Sequence, residues 1–147
     1  MSFQAKLKIE DNEFNILTVE YAMSQPVDVN NRPNGRIRGG IIELMLESGA
    51  NFLLIEWAVA NQTKDGRIEF YRRDSTSVLK SVEFTNAFCI FFKELFVSEG
   101  EHPMTTKITI SAHQLDIQSA RILNTWAGMQ ASSTDSDSPD TENTVEF

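Results

Sequence analysis

Val82-Glu83-Phe84-Thr85-Asn86-Ala87-Phe88-Cys89-Ile90-Phe91-Phe92-Lys93-Glu94-Leu95-Phe96 holds five apolar residues in a row, from Phe88 to Phe92. A strand with one face on a core and one in water alternates apolar and polar residues. Strict alternation places Phe88, Ile90, Phe92 and Phe96 on one face and Cys89, Phe91 and Leu95 on the other. Both faces then need burial. A chain of 147 residues builds only a small core. The second face is therefore expected to be covered by the chain's own helix or by another subunit.

Upstream, Thr85-Asn86 leads into this strand from an earlier one over Val78 to Phe84. Ser75-Thr76-Ser77 is a turn, Arg67 to Asp74 a strand, and Lys64-Asp65-Gly66 the turn before it. Asn51 to Asn61 is the one helix, with Asn51 as its N-cap. Its apolar residues run almost all the way round and Glu56 is its only charge. A helix apolar on all sides is normally buried on all sides, so it is a second element that needs more cover than a small monomer supplies. Ile37 to Glu47 reads as a strand with Ile42, Leu44 and Leu46 facing the core, and Gly39-Gly40 marks a bulge or a close backbone approach.

Gln25 to Arg36 contains two prolines, three asparagines and a glycine, and reads as a long loop. Loops of that length are uncommon in small domains and are often functional. Phe3 to Glu10 alternates, Asp11-Asn12 is a turn, and a second strand runs from Phe14 to about Met23. Past Gly100 to Met104, Thr105 to Ala112 alternates again. Ile108, Ile110 and Ala112 stand opposite Lys107, Thr109 and Ser111, and Leu115 to Ile117 extends this strand or forms a short last one. Seven or eight short strands and one helix suggest an antiparallel barrel or sandwich with a helix packed on it.

The charge is uneven. Of the net −8, the segment from Gln130 to Phe147 supplies −5 through Asp135, Asp137, Asp140, Glu142 and Glu146, with no base. The rest is nearly balanced, so like subunits would repel one another weakly. The acidic total, with a pI near 4.7, argues against nucleic acid and against anionic membranes as partners. Residues 129–147 cannot bury enough surface to offset ordering entropy and read as a disordered tail on a folded domain of residues 1–128. A single cysteine fits a reducing compartment. No classical signal peptide is read at the start, and no apolar run approaches the roughly 20 residues that span a bilayer.

Reactive chemistry is sparse. Cys89, His113 and Asp116 could be imagined as a thiol triad, but Cys89 sits in the most apolar stretch, where a thiol pKa rises, and His113 reads as a surface residue. No CxxC, HExxH, GxGxxG or GxxxxGK pattern occurs, so no catalytic residue, metal or cofactor is expected. Arg72-Arg73-Asp74 reads as local charge pairing. The residues alone lead to a non-catalytic, cytosolic β-rich domain that oligomerises.

Several fragments carry a resemblance. Gly39-Gly40-Ile41-Ile42-Glu43-Leu44 with Glu47-Ser48, then Phe70-Tyr71-Arg72-Arg73-Asp74, Leu79-Lys80, Phe84 and Ala87-Phe88-Cys89 follow in order, as do Pro103-Met104, Thr106, Ile108, Ile110-Ser111-Ala112 and Leu115. Together they resemble the type VI secretion inner-tube family (Hcp, also called TssD), in its Bacteroidetes-type branch, over Ser2 to about Trp126. The resemblance implies a mainly β fold, an antiparallel barrel like that of phage tail tubes, with one flanking helix. It implies a homo-hexamer stacking into tubes, driven by a contractile sheath, tipped by a VgrG-like spike and able to carry effector cargo. Such a subunit would assemble in the bacterial cytoplasm and be secreted without a signal peptide.

The family's loop after the second strand reaches neighbouring subunits and rings. It maps to Gln25–Arg38, making Gln25, Val27, Asn31, Arg32, Pro33, Asn34, Arg36 and Arg38 candidate interface residues. Phe52, Ile55, Trp57 and Val59 on the helix, and Phe91 and Leu95 on the strand, are candidates for packing between subunits. Lys107, Thr109 and Ser111 are candidates for the lumen. The competing reading is a monomeric β-barrel carrier of a small apolar ligand, and a small hydrolase or isomerase ranks last.

Overall fold

The computed structural model describes residues 3–74 and 76–126. Seven strands and one helix follow in the order β1 (Ala5–Ile9), β2 (Asn12–Tyr21), β3 (Ile41–Glu47), α1 (Leu53–Ala60), β4 (Lys64–Tyr71), β5 (Val78–Phe96), β6 (Met104–Ile117) and β7 (Ala120–Leu123). Every pairing is antiparallel. Six strands close on themselves in the order β1-β2-β3-β6-β5-β4 and back to β1. The barrel expected from the resemblance is therefore the fold. The closing contact joins β3 to the first half of β6, Ile41↔Ser111 through Glu47↔Thr105. β7 takes over the same edge of β6 further along, from Ile117↔Ala120 to Gln114↔Leu123.

Alternation fills the barrel. Leu7 and Ile9, then Ile42, Leu44 and Leu46, then Ile68, Val82, Phe84, Ile108, Ile110 and Ala112 are all buried. With six strands the bore is narrow, and these side chains occupy it. The inward sets read from β3 and β6 are those observed; of the apolar face of the first strand, Leu7 and Ile9 are buried but Phe3 is 60% exposed.

The stretch from Val82 to Phe96 departs from simple alternation. Val78–Phe84 and Ala87–Phe96 are not two strands but one of 19 residues. Asn86 takes a left-handed conformation (φ 53°), and its N–H donates to Asp65 Oδ1 at 2.8 Å. A second irregularity lies between Cys89 and Phe91, which pair with Ile110 and Thr109, leaving Ile90 as the extra residue. The bulge reverses the faces beyond it. Phe92 packs on the core with Cys89 and Ala87, whereas Ile90 and Phe91 point outward. Phe88 and Phe92 thus lie on opposite faces, because one inserted residue shifts a period-2 pattern by one.

Other parts of the expected layout differ too. Lys64-Asp65-Gly66 is the start of β4 rather than a turn, its ladder carried past Asp65 by the irregularity at Asn86. The third strand begins at Ile41, not Ile37. β7 has no counterpart in the sequence reading. The expected tail of residues 129–147 lies outside the described residues.

α1 is shorter than read from sequence. The N-cap position is Phe52 rather than Asn51, whose Oδ1 accepts from Leu53 N–H at 2.8 Å in a turn just ahead of the helix. Asn61 ends it in a left-handed conformation, which asparagine tolerates. The helix is held through Trp57, fully buried, whose ring stacks on Phe84 at 6.3 Å and whose Nε1–H donates to Ala87 O at 3.1 Å.

The junction between β3 and β7 rests on Gly40 and Asn124. Asn124 Nδ2 donates to Ala112 O at 2.8 Å and to Gly39 O at 3.1 Å, and Ala112 N–H donates to Gly40 O at 2.8 Å. Gly40 has φ 99°, and a Cβ there would sit 2.8 Å from Ala112 O and 2.6 Å from Asn124 Nδ2. Gly40→Ala is expected to cost about 2–3 kcal/mol from backbone strain and the clash, read as a lowered urea midpoint. An unchanged midpoint would show that the junction relaxes freely.

Candidate functional site

The residues read as possible catalysts do not form a site. Cys89 Sγ lies inside the barrel and donates weakly to Phe91 O at 3.4 Å, and burial pushes the thiol pKa up. Asp116 is engaged by Arg121 Nε at 2.8 Å and by Gln114 Nε2 at 2.9 Å. His113 is buried, contrary to the surface position read from sequence, because the Trp126 ring covers it at a centroid distance of 5.4 Å. Trp126 also meets Phe88 at 5.8 Å. Among the described residues no group of three His, Cys, Asp or Glu gathers as a metal site, and no helix is long and apolar enough to cross a membrane.

What the surface offers is contact area. The helix side away from Trp57 exposes Phe52 (70%) and Val59 (78%), with Ile55 between them. Trp57 is turned the other way, into the core. On β5, Ile90 (57%), Phe91 and Leu95 are exposed, and Phe96, Val97 and Met104 continue the apolar surface at that end of the β5–β6 pair. Lys107, Thr109 and Ser111 alternate on the outward face of β6. Their cross-strand neighbours are Lys93, Phe91 and Phe88 on β5 and Met45, Glu43 and Ile41 on β3. The structure therefore sets Phe91 directly beside Thr109.

The segment from Gln25 to Arg38 is not an irregular loop but a hydrogen-bonded arm. Ser24 and Arg38 exchange backbone bonds of 2.9 and 2.7 Å at its base, and Val27 bridges Pro33 nearer the tip. Asp28 organises the tip: its Oδ1 accepts from Asn30 N–H at 2.9 Å and Arg32 N–H at 3.0 Å, while Asn31 takes φ 64°. Gln25 Nε2 donates to Gly35 O at 2.8 Å, and Arg36 Nη1 donates to Thr125 Oγ1 at 2.8 Å. Gln25, Val27, Asn31, Arg32, Pro33, Asn34, Arg36 and Arg38 are all exposed along it. Arg73, by contrast, lies over the Phe3 ring at 5.4 Å, and Asp74 caps the following turn at Thr76 N–H.

A polar network missed from sequence sits on the outward face of β1 and β4. Glu69 is nearly buried and accepts from Lys8 Nζ at 2.9 Å, Arg67 Nε at 2.8 Å and Tyr71 OH at 2.7 Å. The Lys8 hydrogen bond, above all, holds the Glu69 carboxyl below the usual range, and the same bond pushes Lys8 upward. Glu69 pushes Tyr71 upward. Alternating charges on neighbouring strands were the available signal, but pairing β1 with β4 across more than fifty residues required the fold. A carboxylate with a depressed folded pKa adds stability that is full above its unfolded value, roughly 4.3, and is lost as pH falls through the folded one. Thermal stability should therefore drop as pH is lowered from about 5 to 3. Glu69→Gln is expected to cost about 2 kcal/mol at neutral pH and to flatten that acid limb. An acid limb identical in the variant would place the acid sensitivity elsewhere.

The described residues form a packed six-stranded antiparallel barrel with exposed apolar side chains on α1 and β5 and an ordered arm. The comparisons with known proteins agree. The family model for Hemolysin coregulated protein Hcp (TssD) matches residues 1–127, and the chain belongs to that family. Hcp1 from Flavobacterium johnsoniae is similar at 33% identity and a TM-score of 0.78, over 82% of this chain and 99% of that one. Hcp1 from Salmonella typhimurium shares the fold at 13% identity and a TM-score of 0.65, over 83% and 92% of the two chains. So does the sheath/tube terminator of PVC, an extracellular contractile injection system, at 18% identity and a TM-score of 0.53, over 79% and 94%. No curated protein sequence matches the chain.

Proposed function

We propose that the chain is the tube subunit of a type VI or related contractile injection apparatus, forming homo-hexameric rings that stack into a tube. Family membership carries this reading. The exposed apolar residues on α1 and β5 support it, because they are surplus to the folding of one chain and suited to contacts that resemble a cut-open core. Ile55, Phe52 and Val59, with Phe91 and Leu95, are the proposed packing residues between subunits. Lys107, Thr109 and Ser111 are the proposed lumen row. Since Thr109 neighbours Phe91, the boundary between subunit contact and lumen would run between β5 and β6. A contractile sheath, a VgrG-like spike and effector cargo are the implied partners, and secretion by that apparatus is the implied route.

Light scattering after size exclusion, with negative-stain images, tests the reading. Hexamer-sized particles with a central hole are expected, and a clean monomer at high concentration would overturn it. The arm is proposed to contact the adjacent ring through Arg32, Arg36 and Arg38. Arg36→Glu with Arg38→Glu should leave rings intact and shorten or abolish tubes in an assembly assay. Tubes of normal length would remove the stacking role. The monomeric carrier reading has little support, since the barrel bore is filled by Leu7, Ile42, Ile68, Ile108 and Ile110.

A further inference from the structure

We infer that the groove between the arm and β7 is the docking site of the chain's own acidic C-terminal segment, residues 127–147. The groove has a volume of about 590 Å³. One wall is Arg36, Ile37 and Arg38 from the arm, and the other is Ile122, Leu123 and Thr125 from β7 and the residues after it. Among the described residues no carboxylate lies within ion-pair distance of Arg36 or Arg38, although Asp116 meets Arg121 at the same rim. Ile37 and Leu123 are both exposed. The groove is thus a cationic cleft with apolar side chains in both walls.

The occupant follows from where the chain goes next. Thr125 is a wall of the groove and accepts a hydrogen bond from Arg36. Trp126, the last described residue, is held by Phe88 and His113, directly after the groove residues Asn124 and Thr125. The segment from 127 onward has five carboxylates, no lysine or arginine, and apolar Val145 and Phe147 near its end. An extended chain from Trp126 to Asp135 reaches roughly 30 Å, ample to return an acid to either arginine. Exposed ion pairs are individually weak. The tether supplies what they lack, because a short linker holds its end group at an effective concentration in the millimolar range. Guanidinium groups pair with carboxylates in two-point geometry, which suits Arg36 and Arg38 to this partner. The inference stands without the tube reading. Where the tube reading also holds, on which this consequence rests, tail and adjacent ring would compete for the same arginines.

Hydrogen exchange followed by mass spectrometry on the full chain tests it. At low salt, amides of residues 129–147 are expected to exchange about fivefold more slowly in the native chain than in Arg36→Glu/Arg38→Glu. The difference should vanish near 1 M salt, where the Debye length is about 3 Å. Adding Asp135→Lys, Asp137→Lys and Asp140→Lys to the double variant should restore protection, which a merely misfolded arm would not allow. Equal exchange in the native chain and the double variant, or no restoration by the reversed tail, would overturn the inference. Protection that disappears on hundredfold dilution would assign the site to a neighbouring copy's tail and overturn docking within one chain. Measured on protein that size exclusion shows to be free of stacked rings, these outcomes are separate from the tube reading.

Discussion

Trp57→Ala is expected to destabilise the protein by about 4 kcal/mol, a large part of the roughly 5–15 kcal/mol typical of a domain. The side chain is fully buried, stacks on Phe84 at 6.3 Å and donates to Ala87 O at 3.1 Å. Truncation removes the ring, leaves a cavity at the seat of α1, and strips that carbonyl of its side-chain donor. Urea unfolding at a fixed protomer concentration reads the change, since any assembly would add a concentration-dependent term. Phe52→Ala, one turn away but exposed, should stay within about 0.5 kcal/mol of the parent under dissociating conditions. A Trp57→Ala loss under about 1 kcal/mol would mean the helix is held by other contacts.

Phe91→Asp with Leu95→Asp is expected to abolish the proposed ring while leaving the barrel folded. Both side chains point away from the core on β5 and are exposed in the single chain, so neither contributes much to monomer stability. At a subunit contact each apolar anchor is worth about 2 kcal/mol. Losing both weakens association on the order of a thousandfold, before counting the cost of burying two new carboxylates. Light scattering after size exclusion should show the variant as monomer, with the circular dichroism spectrum of the parent. Intact rings would move the subunit contact off this face and leave the exposed side of α1 as the remaining candidate.

Much of the barrel was legible in the residues. Ile42, Leu44 and Leu46, and Ile108, Ile110 and Ala112 alternate without interruption and face inward as read, and so do Leu7 and Ile9, whereas Phe3 on the same alternation is exposed. The Gly39-Gly40 pair signalled a close approach, met at Ala112 O. The apolar residues around α1 were legible too, but not which of them the chain itself would cover. Only the packing of Trp57 on Phe84 separates the buried side from the exposed Phe52, Ile55 and Val59. The arm read as a loop because its bonds run between residues far along the segment, as in Ser24 to Arg38 and Gln25 to Gly35. The Glu69 network and the burial of His113 under Trp126 likewise depend on residues brought together from distant parts of the chain.

By itself, the sequence determined that this protein is a small, mainly β chain with one helix, more apolar surface than one core needs, and a strongly acidic end. Local periodicity and composition suffice for that, because each is written in neighbouring residues. Only the tertiary structure decided that the strands close into a barrel through β3 and β6, and that Ile90 bulges so that Cys89 and Phe92 turn inward while Phe91 turns out. A bulge exists only relative to the strand it pairs with, and closure only relative to strands some sixty residues apart. Neither has a local signature, and both determine which face of the Val82–Phe96 stretch the single chain leaves exposed.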